Sequence, residues 1–308
     1  MKKKRIIRKK IGPRVSVVMP VFNAENFLRE SLDSILKQTH RNFEFIIVDD
    51  GSTDASFKIL RNYASVDKRI KLFRNPTNMG VSRAVNRAIS KAKGEYIARM
   101  DADDIALPRR LEQQVAHLKK NPTTIAVGGQ CLLIDKRGSV IGKKTFPIHF
   151  KQIYQYIFEF VPLQQPTLMI ARKRLPKNFA YYYNGMNTAE ELELLFKLFL
   201  YGKVENISDP VLLYRLHDHN TSFTNVRQTF GLTLISRLNA VYHYNYKPSK
   251  RGITITLLQA IFVYMFPQQF SLSVYKIMRS LTLYKSPTLM RARTLSPKSL
   301  MSPASYRV

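Results

Sequence analysis

Through its N-terminal third the chain alternates short, nearly continuous apolar runs with amphipathic stretches. The runs are Val15-Ser16-Val17-Val18-Met19-Pro20-Val21, Phe43-Glu44-Phe45-Ile46-Ile47-Val48, Ile70–Arg74 and residues 95–100. Runs of this kind are expected of strands buried on both faces of a parallel sheet. Between the first two, Leu28, Leu32, Ile35 and Leu36 share one face of a helix. A second helix runs to about Ala64, with Ser52, Thr53 and Asp54 as candidates to cap its start. A third covers Val81–Lys91, after a turn through Asn75-Pro76-Thr77-Asn78-Met79-Gly80. Four strand–helix units in succession predict an α/β fold, a Rossmann-like, mostly parallel sheet flanked by helices.

The pattern changes after Pro122. Residues 125–134 and 139–145 flank Lys136-Arg137-Gly138 and read as a hairpin. Residues 168–171 form a further strand, a helix starts at Thr188 and runs through Leu192, Leu195, Phe196 and Phe199, and residues 211–216 form a last strand. Helical patterns recur at roughly 230–245 and 254–285, and from about Ser286 a loose tail rich in Ser, Pro, Thr and Arg is expected. The organisation is a basic arm over 1–13, an α/β domain over 14–222 and a basic helical extension with a loose end over 223–308.

Charge sharpens this division. The net charge is +29, yet residues 1–10 hold seven basic groups and no acid, and residues 219–308 hold twelve and again no acid. Such asymmetry points to a polyanionic surface, either nucleic acid or an anionic membrane. Ile6 and Ile7 are hemmed in by charge, so the N-terminus lacks a signal peptide's apolar core. The longest apolar run, residues 253–266, is interrupted by Thr254, Thr256 and Gln259 and is shorter than the roughly 20 residues that span a bilayer. Phe270, Val274, Ile277, Leu281 and Tyr284 share one helical face, as in a basic amphipathic helix lying on a membrane; the other reading is a helix packed on the domain. The single cysteine, Cys131, excludes a disulfide framework and a Cys-built zinc site.

The candidate chemistry is acidic. Asp101-Ala102-Asp103-Asp104 follows the fourth strand directly, and Asp49-Asp50 ends the second. In such sheets ligands lie beyond the carboxyl ends of the strands. Clustered carboxylates repel one another unless a cation compensates, and oxygen-rich sites suit Mg²⁺ or Mn²⁺. A solvated loop capping the next helix is the plainer reading of Asp101–Asp104 taken alone, and a helix-side or turn hydrogen bond that of Asp49. The turn after the first strand, Pro20-Val21-Phe22-Asn23-Ala24-Glu25, has no glycine, so neither a dinucleotide-binding turn nor a P-loop is present.

The blocks VSVVMPVFNAENFLRESLDSILKQT, FIIVDDGSTD, NMGVSRAVNRAI and GEYIARMDADD resemble, in order and spacing, the family-2 glycosyltransferases of the GT-A fold. The resemblance covers roughly residues 14–222. It implies inverting transfer of a sugar from a nucleotide-sugar donor. It also implies that Pro20, Phe22 and Glu25 line the nucleoside pocket, that Asp50 bonds the base, usually uracil, and that Arg83 faces the nucleoside; a solvated helix face is the other reading of Arg83. Asp101 and Asp103 would be the D-x-D signature, Asp101 reaching ribose and metal and Asp103 ligating Mn²⁺ or Mg²⁺.

The resemblance gives the general base as Glu191, in Ala189-Glu190-Glu191, where the family usually has aspartate; Glu190 is the second choice. Thr188-x-x-Glu191 also reads as a capping box. Tyr214-Arg215-Leu216-His217, with Asn220 and Ser222, resembles the family's Tyr-Arg-x-His ending, which implies His217 near the metal and Arg215 near the diphosphate. Pro166-Thr167-Leu168-Met169 resembles an acceptor-side segment, with Gln165 where histidine is common.

The expectation is therefore a hexosyl- or N-acetylhexosaminyltransferase of polysaccharide biosynthesis. It would use a UDP-sugar and a cell-surface or lipid-linked glycan, in the cytoplasm, peripherally on the inner face of the cell membrane, with no nucleic-acid partner. The alternatives are a polyanion-binding protein and a transferase-like fold that binds nucleotide without turnover.

Overall fold

A computed structural model describes residues 14–184, 190–217, 226–267 and 269–270. The four expected units are present as β1 (Val15–Val21), α1 (Leu28–Leu36), β2 (Phe43–Asp49), α2 (Ser56–Val66), β3 (Ile70–Arg74), α3 (Val81–Lys91) and β4 (Tyr96–Arg99). Then follow β5 (Ile105–Ala106), α4 (Arg110–Lys120), β6 (Thr124–Ile134), β7 (Val140–Lys144), α5 (Phe150–Tyr156), β8 (Met169–Ile170), α6 (Glu190–Phe199), β9 (Lys203–Arg215), α7 (Val226–His243) and α8 (Lys250–Met265). The strands form one sheet in the order β3-β2-β1-β4-β8-β6-β9-β5, with β7 paired to β6.

β3, β2, β1 and β4 run parallel, Val15 opposite Phe43 on one side and Tyr96 on the other. Beyond β4 the sheet is mixed: β8 is antiparallel to both β4 and β6, and β9 is parallel to β6. The alternation along β1 explains its apolar run. Val15, Val17, Met19 and Val21 join the core under α1 and α4. Val18 joins the core of the opposite face with Val85 and Ala88 of α3 and Leu195 of α6. A strand with two cores has no solvent face on which polar residues could be placed, and each fully buried aliphatic side chain contributes about 1.5–3 kcal/mol.

Two local readings change. α2 begins at Ser56, whose amide donates to Asp54 Oδ1 at 2.9 Å, so Asp54 satisfies the first turn and Ser52 serves elsewhere. The last strand is not residues 211–216 but the 13-residue β9, which starts at Lys203. Asn206 and Pro210 interrupt its apolar pattern, and Pro210 is accommodated where the β6–β9 register shifts. In the C-terminal extension α7 and α8 take the place of the two helical patterns. Residues 1–13, Thr188, Asn220, Ser222 and the stretch from 271 on lie outside the described residues. No helix among the described residues is long and apolar enough to cross a membrane.

Candidate active site

The carboxyl ends of β2, β1 and β4 lie side by side, so Asp49-Asp50, the Pro20–Glu25 turn and Asp101–Asp104 share one edge of the sheet. With strands about 4.8 Å apart, the two acid clusters flank β1 at about 10 Å across the sheet. Their backbones are laced together: Asp50 N donates to Val21 O at 2.7 Å and Met100 N to Val18 O at 3.0 Å.

The residues expected on the nucleoside side are held by protein contacts. Asp50 is buried, and its Oδ1 accepts from Asn75 Nδ2 at 2.6 Å and Met79 N at 3.0 Å. Its Oδ2 accepts from Gly80 N at 2.9 Å. The carboxylate thus shapes the 75–80 loop and sits at the N-terminus of α3, where negative charge is favoured. Asp49 is fully buried and paired with Arg74 at 3.0 Å, which answers why the first of the two aspartates is there. Glu25 Oε2 accepts from Ala55 N at 2.8 Å and fastens the turn to the start of α2. Phe22 is exposed at the mouth of the turn, Pro20 is partly buried in β1, and Arg83 stands exposed on α3.

One carboxylate oxygen each from Asp101, Asp103 and Asp104 lie within 4.8 Å of one another. The three differ in their partners. Asp101 Oδ1 is paired with Arg99 Nη2 at 2.7 Å, and its backbone carbonyl accepts from Ser31 Oγ at 2.9 Å. Asp103 Oδ2 lies 2.8 Å from His217 Nε2. Asp104 is fully buried; Oδ1 accepts from Arg215 N at 2.9 Å, while Oδ2 is buried with no hydrogen-bond partner. Burial, and then the charges of Asp103 and Asp101, push the Asp104 carboxyl well above its ordinary range. Burial likewise raises Asp101, against the pull of Arg99. A buried carboxylate oxygen without a donor, beside two more carboxylates and an imidazole, fits a hard divalent cation.

Two arginines brace the cluster from beneath. Arg110, fully buried, donates from Nη2 to Arg99 O at 2.6 Å. Arg215, also buried, donates from Nε to Asp103 O at 2.9 Å, pairs with Glu30 and stacks over Phe27, its guanidinium carbon 4.6 Å from the ring centroid. Its Nη1 reaches Asp135 O at 3.3 Å in the turn between β6 and β7. The guanidinium therefore ties the Asp103 loop to the turn between β6 and β7 and to Glu30. His217, two residues on, packs against Phe27 with ring centroids 5.2 Å apart and the planes tilted by 34°.

Glu190 and Glu191 open α6. Glu190 is buried and accepts from Gln165 Nε2 at 3.3 Å; burial, and then the neighbouring Glu191, push its carboxyl up to about 8. Glu191 is partly buried and also raised by burial, with Lys144 pulling it down and Asp101 pushing it up. Thr188 lies outside the described residues, so the capping box does too. Arg99, Lys144 and Glu30 were missed by sequence reasoning. Arg99 had a usable signal, a cation in a buried strand immediately before an acid cluster; the others are brought in from distant elements. A cleft of ≈ 490 Å³ lies elsewhere, lined by Phe150, Tyr154, Tyr246 and Lys247 among others, and includes none of these residues.

The family model for "Glycosyl transferase family 2" matches residues 16–178, from β1 past β8. The chain belongs to glycosyl transferase family 2. It is 30% identical over 258 residues to an uncharacterized glycosyltransferase of Haemophilus influenzae, covering 81% of this chain and 79% of that one. It is 33% identical over 215 residues to the O-antigen biosynthesis glycosyltransferase WbnJ of Escherichia coli, covering 67% and 81%. In fold it resembles S. aureus TarS 1–349 in complex with UDP-GlcNAc, with TM-score 0.62, 20% identity and coverage of 85% and 75%. It also resembles the mannosyltransferase PcManGT of Pyrobaculum calidifontis in complex with GDP-Man and Mn²⁺, with TM-score 0.56, 17% identity and coverage of 95% and 86%. The protein is thus a glycosyltransferase with a GT-A-like mixed sheet flanked by helices, and its acid clusters lie at the carboxyl ends of the parallel strands.

Proposed function

We propose that this family-2 glycosyltransferase is inverting and depends on a divalent cation, moving a sugar from a UDP-sugar to a hydroxyl of a cell-surface or lipid-linked glycan. The observation that carries this reading is the convergence of Asp101, Asp103 and Asp104 with His217, from the two ends of the domain, at the edge where Asp50 and the Pro20–Phe22 turn also lie. Asp101 and Asp103 hold Mn²⁺ or Mg²⁺, with His217 as a further ligand. Bound there, the cation supplies Lewis acidity that stabilises the charge on the departing nucleoside diphosphate. Arg215 contributes through Asp103, whose carbonyl it holds.

Glu191 is the general base in this reading. It takes the proton of the acceptor hydroxyl while that oxygen bonds to the anomeric carbon and the bond to the diphosphate breaks, a single displacement that inverts the centre. Two features support Glu191 over Glu190. Glu190 is already bonded to Gln165 and more deeply buried, and Glu191 senses both Lys144 and Asp101. A glycan acceptor is supported by the likeness to an O-antigen biosynthesis enzyme. The same reading puts transfer at the inner face of the cell membrane, where lipid-linked acceptors are assembled, and the basic ends of the chain support that.

The experiment is a hydrolysis screen over UDP- and GDP-sugars with Mn²⁺, Mg²⁺ or chelator. Turnover of a UDP-sugar that chelator abolishes is the expected result. Turnover unaffected by chelator, or of GDP-sugars only, would overturn the corresponding part of the reading.

A further inference from the structure

α8 is built inside out. The residues it turns toward the domain are Gly252, Thr256 and Val263, with Gln259 partly buried beside them. They are fixed by polar contacts. Thr256 Oγ1 lies 3.1 Å from Phe158 O, and Gln259 Nε2 donates to Glu159 O at 3.1 Å. Arg237 of α7, buried, donates from Nη1 to Thr256 Oγ1 at 3.0 Å and to Gln259 Oε1 at 2.9 Å. The opposite side carries Ile253, Leu257, Leu258, Ile261, Tyr264 and Met265, all exposed. At 3.6 residues per turn these six fall within an arc of about 140°, opposed to the inward residues. Leu257, Leu258 and Ile261 are 59%, 60% and 57% exposed. A helix on a soluble surface has the reverse arrangement.

The charges around this ridge are of one sign. Lys247, Lys250 and Arg251 stand exposed at its N-terminal end, the acid nearest to them in contact, Glu159, is buried against Arg251 at 3.2 Å, and residues 219–308 contain no carboxylate side chain. A second copy packed on this face would offer these cations no acid from the same region, since residues 219–308 carry none. At 16 residues α8 is about 24 Å long, short of a spanning helix but sufficient to lie in an interface.

We propose that the outward face of α8 is a docking surface for an anionic phospholipid bilayer, the apolar ridge entering the headgroup boundary and the basic N-terminal end meeting lipid phosphates. This deepens the membrane placement in the reading above and does not depend on the transfer chemistry. It also adds a membrane element upstream of the one the sequence pattern suggested. The face beginning at Phe270 that the sequence pattern suggested lies almost wholly outside the described residues, and the orientation of α8 is decided by Thr256 and Gln259, which only the packing reveals.

The test is flotation of the full chain with vesicles of phosphatidylglycerol and phosphatidylcholine, and with phosphatidylcholine alone. The triple variant Leu257→Gln, Leu258→Gln, Ile261→Gln, altered only at exposed positions, is expected to lose partitioning by about tenfold or more. Lys247→Gln with Lys250→Gln is expected to weaken binding to the anionic vesicles alone. Unchanged partitioning of the triple variant overturns the proposal. So does a wild-type dimer by light scattering that the triple variant abolishes while neither protein floats, which would assign the face to a second copy. Nucleotide-sugar hydrolysis without lipid is expected to be equal in wild type and triple variant. If hydrolysis is absent in both and the flotation difference persists, the donor reading fails and the docking surface stands.

Discussion

His217 Nε2 lies 2.8 Å from Asp103 Oδ2, joining residues 114 positions apart. The contact brings the end of the domain onto the metal-binding carboxylate of the proposed site, and Phe27 fixes the plane of the ring. Whether as ligand or as the group that aligns Asp103, the imidazole should govern cation affinity. His217→Ala is expected to raise the Mn²⁺ concentration for half-maximal donor hydrolysis by about 10–100-fold. An unchanged Mn²⁺ titration would remove His217 from the site.

The two glutamates at the start of α6 should separate cleanly. Glu191→Gln is expected to lower glycosyl transfer by about 10²–10⁴-fold, the usual contribution of a positioned base, while nucleotide affinity by calorimetry stays near wild type. Glu190→Gln keeps an acceptor for Gln165 Nε2, at Oε1, and is expected to lose far less transfer. If the larger loss falls on Glu190→Gln, the assignment of the base is reversed.

Glu190 also predicts a pH dependence of stability. Its carboxyl is pushed up to about 8 in the folded protein from an ordinary 4.5. Between those values the native state keeps a proton that the unfolded chain has released, so stability falls as pH rises through this window. A shift of this size corresponds to a few kcal/mol at most. Glu190→Gln removes the effect. The melting temperature of the variant, measured against wild type by scanning fluorimetry, is therefore expected to gain steadily from about pH 5 to about pH 8. A gap independent of pH counts against the buried, protonated state.

The parallel half of the sheet was legible because its strands have a core on each face. β1 and β3 have the bounds their apolar runs predict, and β2 and β4 differ by one or two residues. β9 was legible only from Val211 on, because Asn206 and Pro210 break its pattern and the β6 register absorbs them. The acid clusters were visible as local runs, but not their partners. Arg215 read as a diphosphate contact, yet its guanidinium meets Asp103 O and Glu30, 112 and 185 residues away. No spacing along the chain encodes these contacts, which come from elements distant in sequence.

That placement makes Arg215 a test of loop support. Arg215→Met keeps much of the apolar stem but takes the guanidinium donor from the Asp103 carbonyl, at about 1–3 kcal/mol for a buried group unpaired, while Asp135 O still accepts from Gly138 N. The expected outcome is a melting temperature lower by about 2–4 °C per kcal/mol, together with a raised Mn²⁺ requirement. Loss of nucleotide affinity with no change in melting would point to a direct diphosphate contact.

Asp50 is expected to matter twice. Its two oxygens receive three donors, from Asn75, Met79 and Gly80, and Gly80 is at φ 91°, a conformation reserved for glycine, as the residue preceding α3. Asp50→Asn preserves size but replaces one acceptor oxygen with an amide donor, so one of these N–H groups faces another donor. The charge at the α3 N-terminus is lost as well, a further 0.3–1 kcal/mol or about that. Together these should cost about 1–3 kcal/mol of stability in denaturant unfolding. The 75–80 loop, released, should also lower UDP affinity. Asn75→Ala removes only one of the three donors and leaves the Asp50 carboxylate intact. If Asp50 acts by shaping the loop, the two variants lose affinity in proportion to their loss of stability. If it bonds the base directly, Asp50→Asn loses UDP affinity out of proportion, and calorimetry set beside unfolding decides between the two.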